Sequence, residues 1–121
     1  TDLVQLLKAS VDNKLNKAKI KWSKDKCMAT VICSNGYPLK HTTNKKINLE
    51  HVSSTKKSFI FHAGTKMKGS LLFSNGGRVL NIAVLGSSFL KIRNQIHKII
   101  KTINWKYGFY RRDIGWRVIE K

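Results

Sequence analysis

The sequence predicts an α+β fold, a mainly antiparallel β-sheet packed by a C-terminal helix and preceded by one further helix. Three observations carry this. Apolar, β-branched runs recur at 27–33, 58–62 and 78–85, each of a length suited to a strand. Turn-forming segments lie beside them, Ser34-Asn35-Gly36-Tyr37-Pro38 after the first run and Ser74-Asn75-Gly76-Gly77 before the last. Ile92, Ile96, Ile99, Ile100 and Ile103 then fall on one helical stripe, while Lys91, Arg93, Asn94, Lys98 and Lys101 take the water-facing positions.

Taken in order, Leu3, Val4, Leu6, Leu7, Val11 and Leu15 give a first helix an apolar stripe that runs to about Lys17. The lysine-rich segment 19–26 reads as a linker with Trp22 as its anchor. Residues 27–33 read as a strand buried on both faces. Residues 39–48 are polar and aperiodic, so they form a loop and the most mobile part of the chain. A short strand is expected within 47–52, and further strands at 58–62, 69–74 and 78–85. Gly76 and Gly77 are expected to supply the positive-φ residues of a hairpin turn between the last two. Ser87 or Ser88 caps the isoleucine helix, and Val118-Ile119 ends the chain as a strand or extension.

Lysine and arginine number 24 against 6 acidic residues, a formal charge of +18. Such a balance ordinarily points to nucleic acid or an anionic surface. Here the lysines are dispersed, from Lys14, Lys17, Lys19 and Lys21 to Lys98, Lys101 and Lys106, and Lys, Asn and Ile are abundant together. AT-rich coding sequence produces that bias at tolerant surface positions. No apolar run approaches the ~20 residues a bilayer span requires, and the isoleucine stripe lacks the Trp or Phe of a membrane-surface helix. Cys27 and Cys33, six apart on one extended run, share a face at a distance no disulfide can bridge. They read as reduced thiols of a cytoplasmic protein. Neither the cysteines nor His41, His51 and His97 have metal-ligand spacing, so no metal is assigned. The chain opens at Thr1 directly on amphipathic helix, which suggests a piece of a longer polypeptide.

Polar candidates gather at strand ends, where binding sites collect. Thr65 and Lys66 follow Gly64, and Arg78 follows Gly76 and Gly77, whose missing side chains allow a backbone to approach an anion closely. Arg111, Arg112 and Arg117 surround Gly115, and the planar guanidinium fork suits a phosphate dianion. Being adjacent, Arg111 and Arg112 point to opposite sides of an extended segment, so one can reach a ligand while the other pairs with Asp113 or Glu120. Each candidate has a plainer account: a surface charge cluster for the arginines, a turn residue for Arg78, a solvated Lys66, packing for Tyr37-Pro38. His62 has the best context of the histidines, although a satisfied structural histidine is the commoner outcome.

Four motifs in order, Gly36-Tyr37-Pro38, His62-Ala63-Gly64-Thr65-Lys66, Asn75-Gly76-Gly77-Arg78-Val79-Leu80 and Arg111-Arg112-Asp113-Ile114-Gly115-Trp116-Arg117, resemble the C-terminal region of the phosphoribosylamine-glycine ligase (glycinamide ribonucleotide synthetase) family. The resemblance covers nearly the whole chain; Ser74 stands where the family usually has Thr, and the loop after Pro38 matches nothing usable. It implies a rudimentary hybrid-type C-terminal domain of an ATP-grasp enzyme, with 1–24 the last helix and linker of the ATP-grasp domain and 25–121 the substrate-side domain. The implied parent is an ATP-dependent carbon-nitrogen ligase of purine biosynthesis joining glycine to 5-phosphoribosylamine through a glycyl phosphate. ATP and Mg2+ or Mn2+ are implied to bind N-terminal to Thr1, leaving this chain inactive alone and without a cofactor. Substrate contacts are implied for Arg111, Arg112, Arg78, Gly76, Gly77, Thr65 and Lys66, with Tyr37 and Pro38 lining the interface to the nucleotide-binding domain. The implied partners are the small-molecule substrates and the N-terminal domains of the same polypeptide, in a monomer or weak homodimer, without nucleic acid or membrane.

The alternative is a small RNA-binding domain. Lys106-Tyr107-Gly108-Phe109-Tyr110-Arg111 partly matches the aromatic-basic pattern on which RNA bases stack, and the charge would supply backbone affinity. The continuation into Arg112-Asp113-Ile114 breaks that pattern.

Overall fold

Two long antiparallel strands form the centre of the computed structural model, which describes residues 1–53 and 55–119. Strand β1 (Lys26–Ser34) pairs with β6 (Arg78–Gly86), as expected of the two most apolar runs. Strand β3 (Ser58–His62) lies on the far edge of β6 and the two-residue β7 (Gly108–Phe109) on the far edge of β1, giving the order β3-β6-β1-β7. A second sheet holds β2 (Lys46–Ile47), β5 (Leu71–Ser74) and β4 (Thr65–Lys68) in the order β2-β5-β4. Every pairing is antiparallel.

Helix α2 (Phe89–Ile103) covers one face of the first sheet. All five isoleucines of its stripe are buried, against Met28, Ile32, Leu80, Ile82 and Val84. Ser88 is the N-cap without a side-chain hydrogen bond, and Asn104 closes the helix in the left-handed region at φ 45°.

Strand β1 is buried on one face, not two. Met28, Thr30, Ile32 and Ser34 are buried while Cys27 and Ala29 are exposed and Val31 and Cys33 half-buried. The opposite face of the sheet stays open, and there Phe59 and Phe61 of β3 are 41% and 55% exposed.

The expected hairpin at Gly76-Gly77 does not form. Strands β5 and β6 belong to different sheets, and neither glycine has positive φ. The two-residue hairpin instead joins β4 to β5 through Gly69-Ser70, with Gly69 at φ +58°. Strand β4 escaped notice because Thr65-Lys66-Met67-Lys68 has no apolar alternation on which to recognise it. Strand β2 ends at Ile47, short of the expected 52. Loop 39–48 is tied down by Thr42 N–H to the Asn35 carbonyl at 3.1 Å and Asn44 N–H to the Ser74 carbonyl at 2.7 Å.

Helix α1 (Leu3–Val11), capped by Asp2 through the Val4 N–H at 2.7 Å, stops well before Lys17. Asn13 takes φ 52°, and only a single 3-10 turn, Leu15–Lys17, follows. The helix buries none of its side chains. Trp22 is 86% exposed and anchors nothing. Val118 and Ile119 lie in a short helix, α3 (Trp116–Ile119), instead of a strand. Glu120 lies outside the described residues.

Ser34 ties the end of β1 to the glycine turn. Its N–H donates to the Gly77 carbonyl at 2.8 Å and its hydroxyl, fully buried, to the Gly76 carbonyl at 2.9 Å. Ser34→Ala removes one donor and leaves a carbonyl unpaired, so it should cost about 1 kcal/mol. In urea this appears as a lower midpoint at unchanged slope; an unchanged midpoint would show that the hydroxyl bond contributes nothing.

Candidate functional site

The first motif residue to find its place is Arg78, and a β-bulge puts it there. Ile32 pairs with Leu80 but Cys33 pairs with Arg78, so Val79 is an extra residue in β6. Without the bulge, alternation would send Arg78 and Asn81 to opposite faces; with it, both join Val31 and Cys33 on the open face. Val79 and Leu80, consecutive in sequence, are consequently both fully buried.

Two adjoining cavities lie on this face and share Val31, Tyr37 and Arg78. The first, about 570 Å³, is completed by Ala63, Gly64, Gly77 and Asn81. The second, about 420 Å³, is bounded by Cys33, Pro38, Phe109, Arg111 and Ile114 among others. Together they form a shallow cleft with an apolar floor, cationic at Arg78 and Arg111. Among the described residues no carboxylate lies within ion-pair distance of Arg78.

Tyr37 is the wall between the cavities, and Gly77 makes room for it. A Cβ on Gly77 would stand 2.1 Å from the Tyr37 Cδ2 and 2.7 Å from its Cε2. The ring therefore lies directly over the glycine backbone. The preceding Gly36 takes φ +92°, turning the chain so that Tyr37-Pro38 folds back beside β1.

Arg111 is exposed and engages Asp113 through two bonds, Nε to Oδ1 at 3.0 Å and Nη2 to Oδ2 at 2.5 Å. This pair holds the Asp113 carboxyl below its ordinary pKa, chiefly by the hydrogen bond, and raises that of Arg111. In such exposure the stability gained is small, so the effect of Asp113 is to fix the direction of the guanidinium. Burial pushes the Cys33 thiol up, against the opposing influence of the Arg78 charge.

Other candidates fall elsewhere. Arg112, which opens the turn at 112–115 and is not in an extended segment, lines a separate cavity with Lys101 and Lys106. Thr65 opens β4, where its hydroxyl lies 3.1 Å from the His62 Nδ1, and Lys66 is exposed on that strand. Neither lines the cleft, nor does Gly76, which packs against Gly64. Asn81 was missed, although a lone amide inside Val79-Leu80-Asn81-Ile82-Ala83-Val84 is the kind of interruption that marks a functional face. Among the described residues no group of three or more His, Cys, Asp or Glu side chains could hold a metal ion, and no helix is long and apolar enough to cross a membrane.

Two of the three rings in the aromatic-basic segment are engaged internally, while Phe109 is 42% exposed. Tyr107 meets Trp105 edge-on at 6.5 Å with Lys45 and Lys106 over its face, and Tyr110 packs against the core. Nothing here adds to the RNA-binding alternative.

Comparison with known proteins shows the family and the fold. The family model described as phosphoribosylglycinamide synthetase, C domain, matches residues 27–117. The phosphoribosylamine–glycine ligase of Brucella melitensis is 34% identical over 122 residues, covering 100% of this chain and 29% of that protein. The chloroplastic phosphoribosylamine–glycine ligase of Arabidopsis thaliana is 35% identical over 125 residues, covering 100% of this chain and 23% of its own length. The crystal structure of phosphoribosylamine–glycine ligase from Thermotoga maritima superposes with a TM-score of 0.69 at 25% identity, over 88% of this chain and 27% of that one. The chain thus spans less than a third of the length of these relatives, and it belongs to the phosphoribosylglycinamide synthetase C-domain family.

Proposed function

We propose that this chain is the substrate-side wall of a phosphoribosylamine–glycine ligase, acting with the remainder of a longer cytoplasmic polypeptide. The observation that carries the reading is the bulge-directed Arg78, facing a cleft it shares with Tyr37 and, at the other end, with Arg111. Arginine forks bind phosphate through charge-assisted hydrogen bonds, so the cleft suits the phosphoribosyl end of the amine substrate. Asn81 offers an amide to the sugar.

In the complete ligase, ATP would supply the phosphoryl group that turns the glycine carboxylate into an acyl phosphate, from which the substrate amine would displace phosphate. The described residues do not gather the carboxylates that magnesium or manganese prefers. By the family resemblance, ATP and metal belong to other parts of the polypeptide. This domain positions: Arg78 and Arg111 hold the phosphate end, Asp113 aims Arg111, and Tyr37 limits where the sugar can lie. Fixing a nucleophile in this way can account for several kcal/mol of barrier lowering, up to roughly 7–11 in favourable cases. Helix α1, whose apolar stripe is uncovered, and the open face with Phe59 and Phe61 suit docking of the preceding domains. Thr65, Lys66 and Arg112 have no substrate contact in this proposal.

Calorimetry of glycinamide ribonucleotide binding to the complete polypeptide tests it. Arg78→Ala and Arg111→Ala should each weaken binding about 10- to 100-fold, the range for a hydrogen bond to a charged group. Lys98→Ala and Arg112→Ala should leave it within about twofold, as surface charges do. Equal small losses in all four variants would sink the assignment.

A further inference from the structure

The cavity that takes Arg112 lies outside this cleft, and its chemistry is different. It has about 190 Å³, a floor of Ile32, Ile100, Ile103 and Trp105, and a rim of Lys101, Lys106, Arg112 and Asn104. That is several times the ~30 Å³ of one water molecule yet below the ~300 Å³ at which pockets for larger ligands begin. The volume suits a small ion with part of its hydration.

Three cationic residues line it from three positions in the chain: Lys101 from the last turn of α2, Lys106 after the helix, and Arg112 beyond β7. Arg93, His97 and Lys101 recur every four residues along α2 and so form one stripe leading to the rim. Among the described residues none of these cations has a carboxylate partner, although Lys8, Lys57 and Arg111 do. The Lys106 ammonium rests 5.2 Å from the Tyr107 ring centroid, a contact it can leave at little cost. Beside the cluster, His97 packs 5.4 Å from the Tyr110 ring, with its Nε2 buried and without a hydrogen-bond partner.

We propose that Lys101, Lys106 and Arg112 form a second anion site, separate from the substrate cleft, that takes a phosphate dianion either free or as the end of a monoester. The proposal does not depend on the ligase reading, because none of these residues belongs to the cleft. His97 is coupled to the site. Burial lowers its pKa, and the charges of Arg93, Arg112 and Lys101 lower it further. Tyr110 is the other titratable group against the ring. An anion on Arg112 and Lys101 offsets the repulsion, so the His97 pKa is higher in the bound state. By linkage, binding of an anion whose own charge stays constant, such as sulfate, then tightens as pH falls.

The test is a titration of the 121-residue chain, followed by amide and imidazole NMR at constant ionic strength. Inorganic phosphate and methyl phosphate should each give saturable shifts at Lys101, Asn104, Lys106 and Arg112, and the tighter of the two identifies the source. Lys101→Ala with Arg112→Ala should weaken binding at least tenfold, while Lys14→Ala with Lys17→Ala, equal in charge removed, should not. Sulfate, which does not itself titrate in this range, should raise the His97 pKa over that in chloride. Unsaturable shifts, equal losses in the two double variants, shifts confined to Arg78 and Arg111, or displacement of phosphate by single-stranded RNA at lower concentration would each overturn the proposal.

Discussion

Gly64→Ala should destabilise the protein by about 3 kcal/mol, combining the usual penalty for overpacking with one lost hydrogen bond. A Cβ at this position would stand 2.6 Å from the Arg78 carbonyl oxygen, 2.9 Å from the Gly76 Cα and 3.1 Å from the Gly76 nitrogen. All three are backbone atoms, so no side chain can swing aside. The backbones are also fastened to each other there. Gly64 N–H donates to the Arg78 carbonyl at 2.8 Å, and Asn75 N–H donates to the Gly64 carbonyl at 2.7 Å. Making room for a methyl group breaks at least one of these bonds and shifts the start of β6, which carries Arg78. A loss of this size lowers Tm by roughly 10 °C or more in a domain near this length. Gly69→Ala is the control, since its Cβ would meet nothing within 4 Å and only its φ of +58° resists substitution. That costs about 1–2 kcal/mol. If thermal unfolding puts Gly64→Ala at or below Gly69→Ala, close approach is not what Gly64 provides.

This distinction also shows where sequence reasoning stopped. A glycine pair between two apolar runs suggests a positive-φ hairpin, and nothing in the spelling of Asn75-Gly76-Gly77-Arg78 says otherwise. Its actual purpose, admitting one backbone against another and a tyrosine ring against the second glycine, depends on residues 12 and 40 positions away. Helix α2 was legible because its five isoleucines repeat with the helical period and need no distant partner to be recognised. The α1 stripe was equally legible, but its end was not, since Asn13 breaks the helix by a local left-handed turn while the apolar spacing continues to Leu15.

The cleft was legible in part. Arg78 and Arg111 could be named from guanidinium chemistry beside glycines and Tyr37 from the resemblance, but Arg111 and Arg112 part at the turn that begins at Arg112, which extended-chain geometry does not describe. That Arg78 and Asn81 share a face could not be read, because a single inserted residue in the ladder reverses the parity on which any alternation argument rests. Thr65 and Lys66 were candidates only by adjacency to Gly64. Strand β4 carries them into the second sheet, away from the cavities.

Gly77→Ala differs from Gly64→Ala because its obstacle is a side chain. The new methyl group would overlap the Tyr37 ring and nothing else among its nearest atoms. The ring must leave its place over the backbone, and the half-buried wall between the two cavities goes with it. A stability loss of about 1–3 kcal/mol is expected, the cost of overpacking at a site that can relax only by giving up its contact. The same substitution in a Tyr37→Ala background should cost nearly nothing, because the empty space then accepts the methyl group. The coupling energy from urea unfolding of the four proteins in this cycle is therefore expected to exceed about 1 kcal/mol, within the range for residues in direct contact. Additive losses would mean that Tyr37 does not rest on Gly77, and the division of the cleft would fall with it. If the coupling is found, Gly77 acts through Tyr37, and Gly77→Ala should weaken glycinamide ribonucleotide binding in the complete ligase by about as much as Tyr37→Ala does. A loss for Tyr37→Ala without one for Gly77→Ala would place the ring elsewhere when substrate is bound.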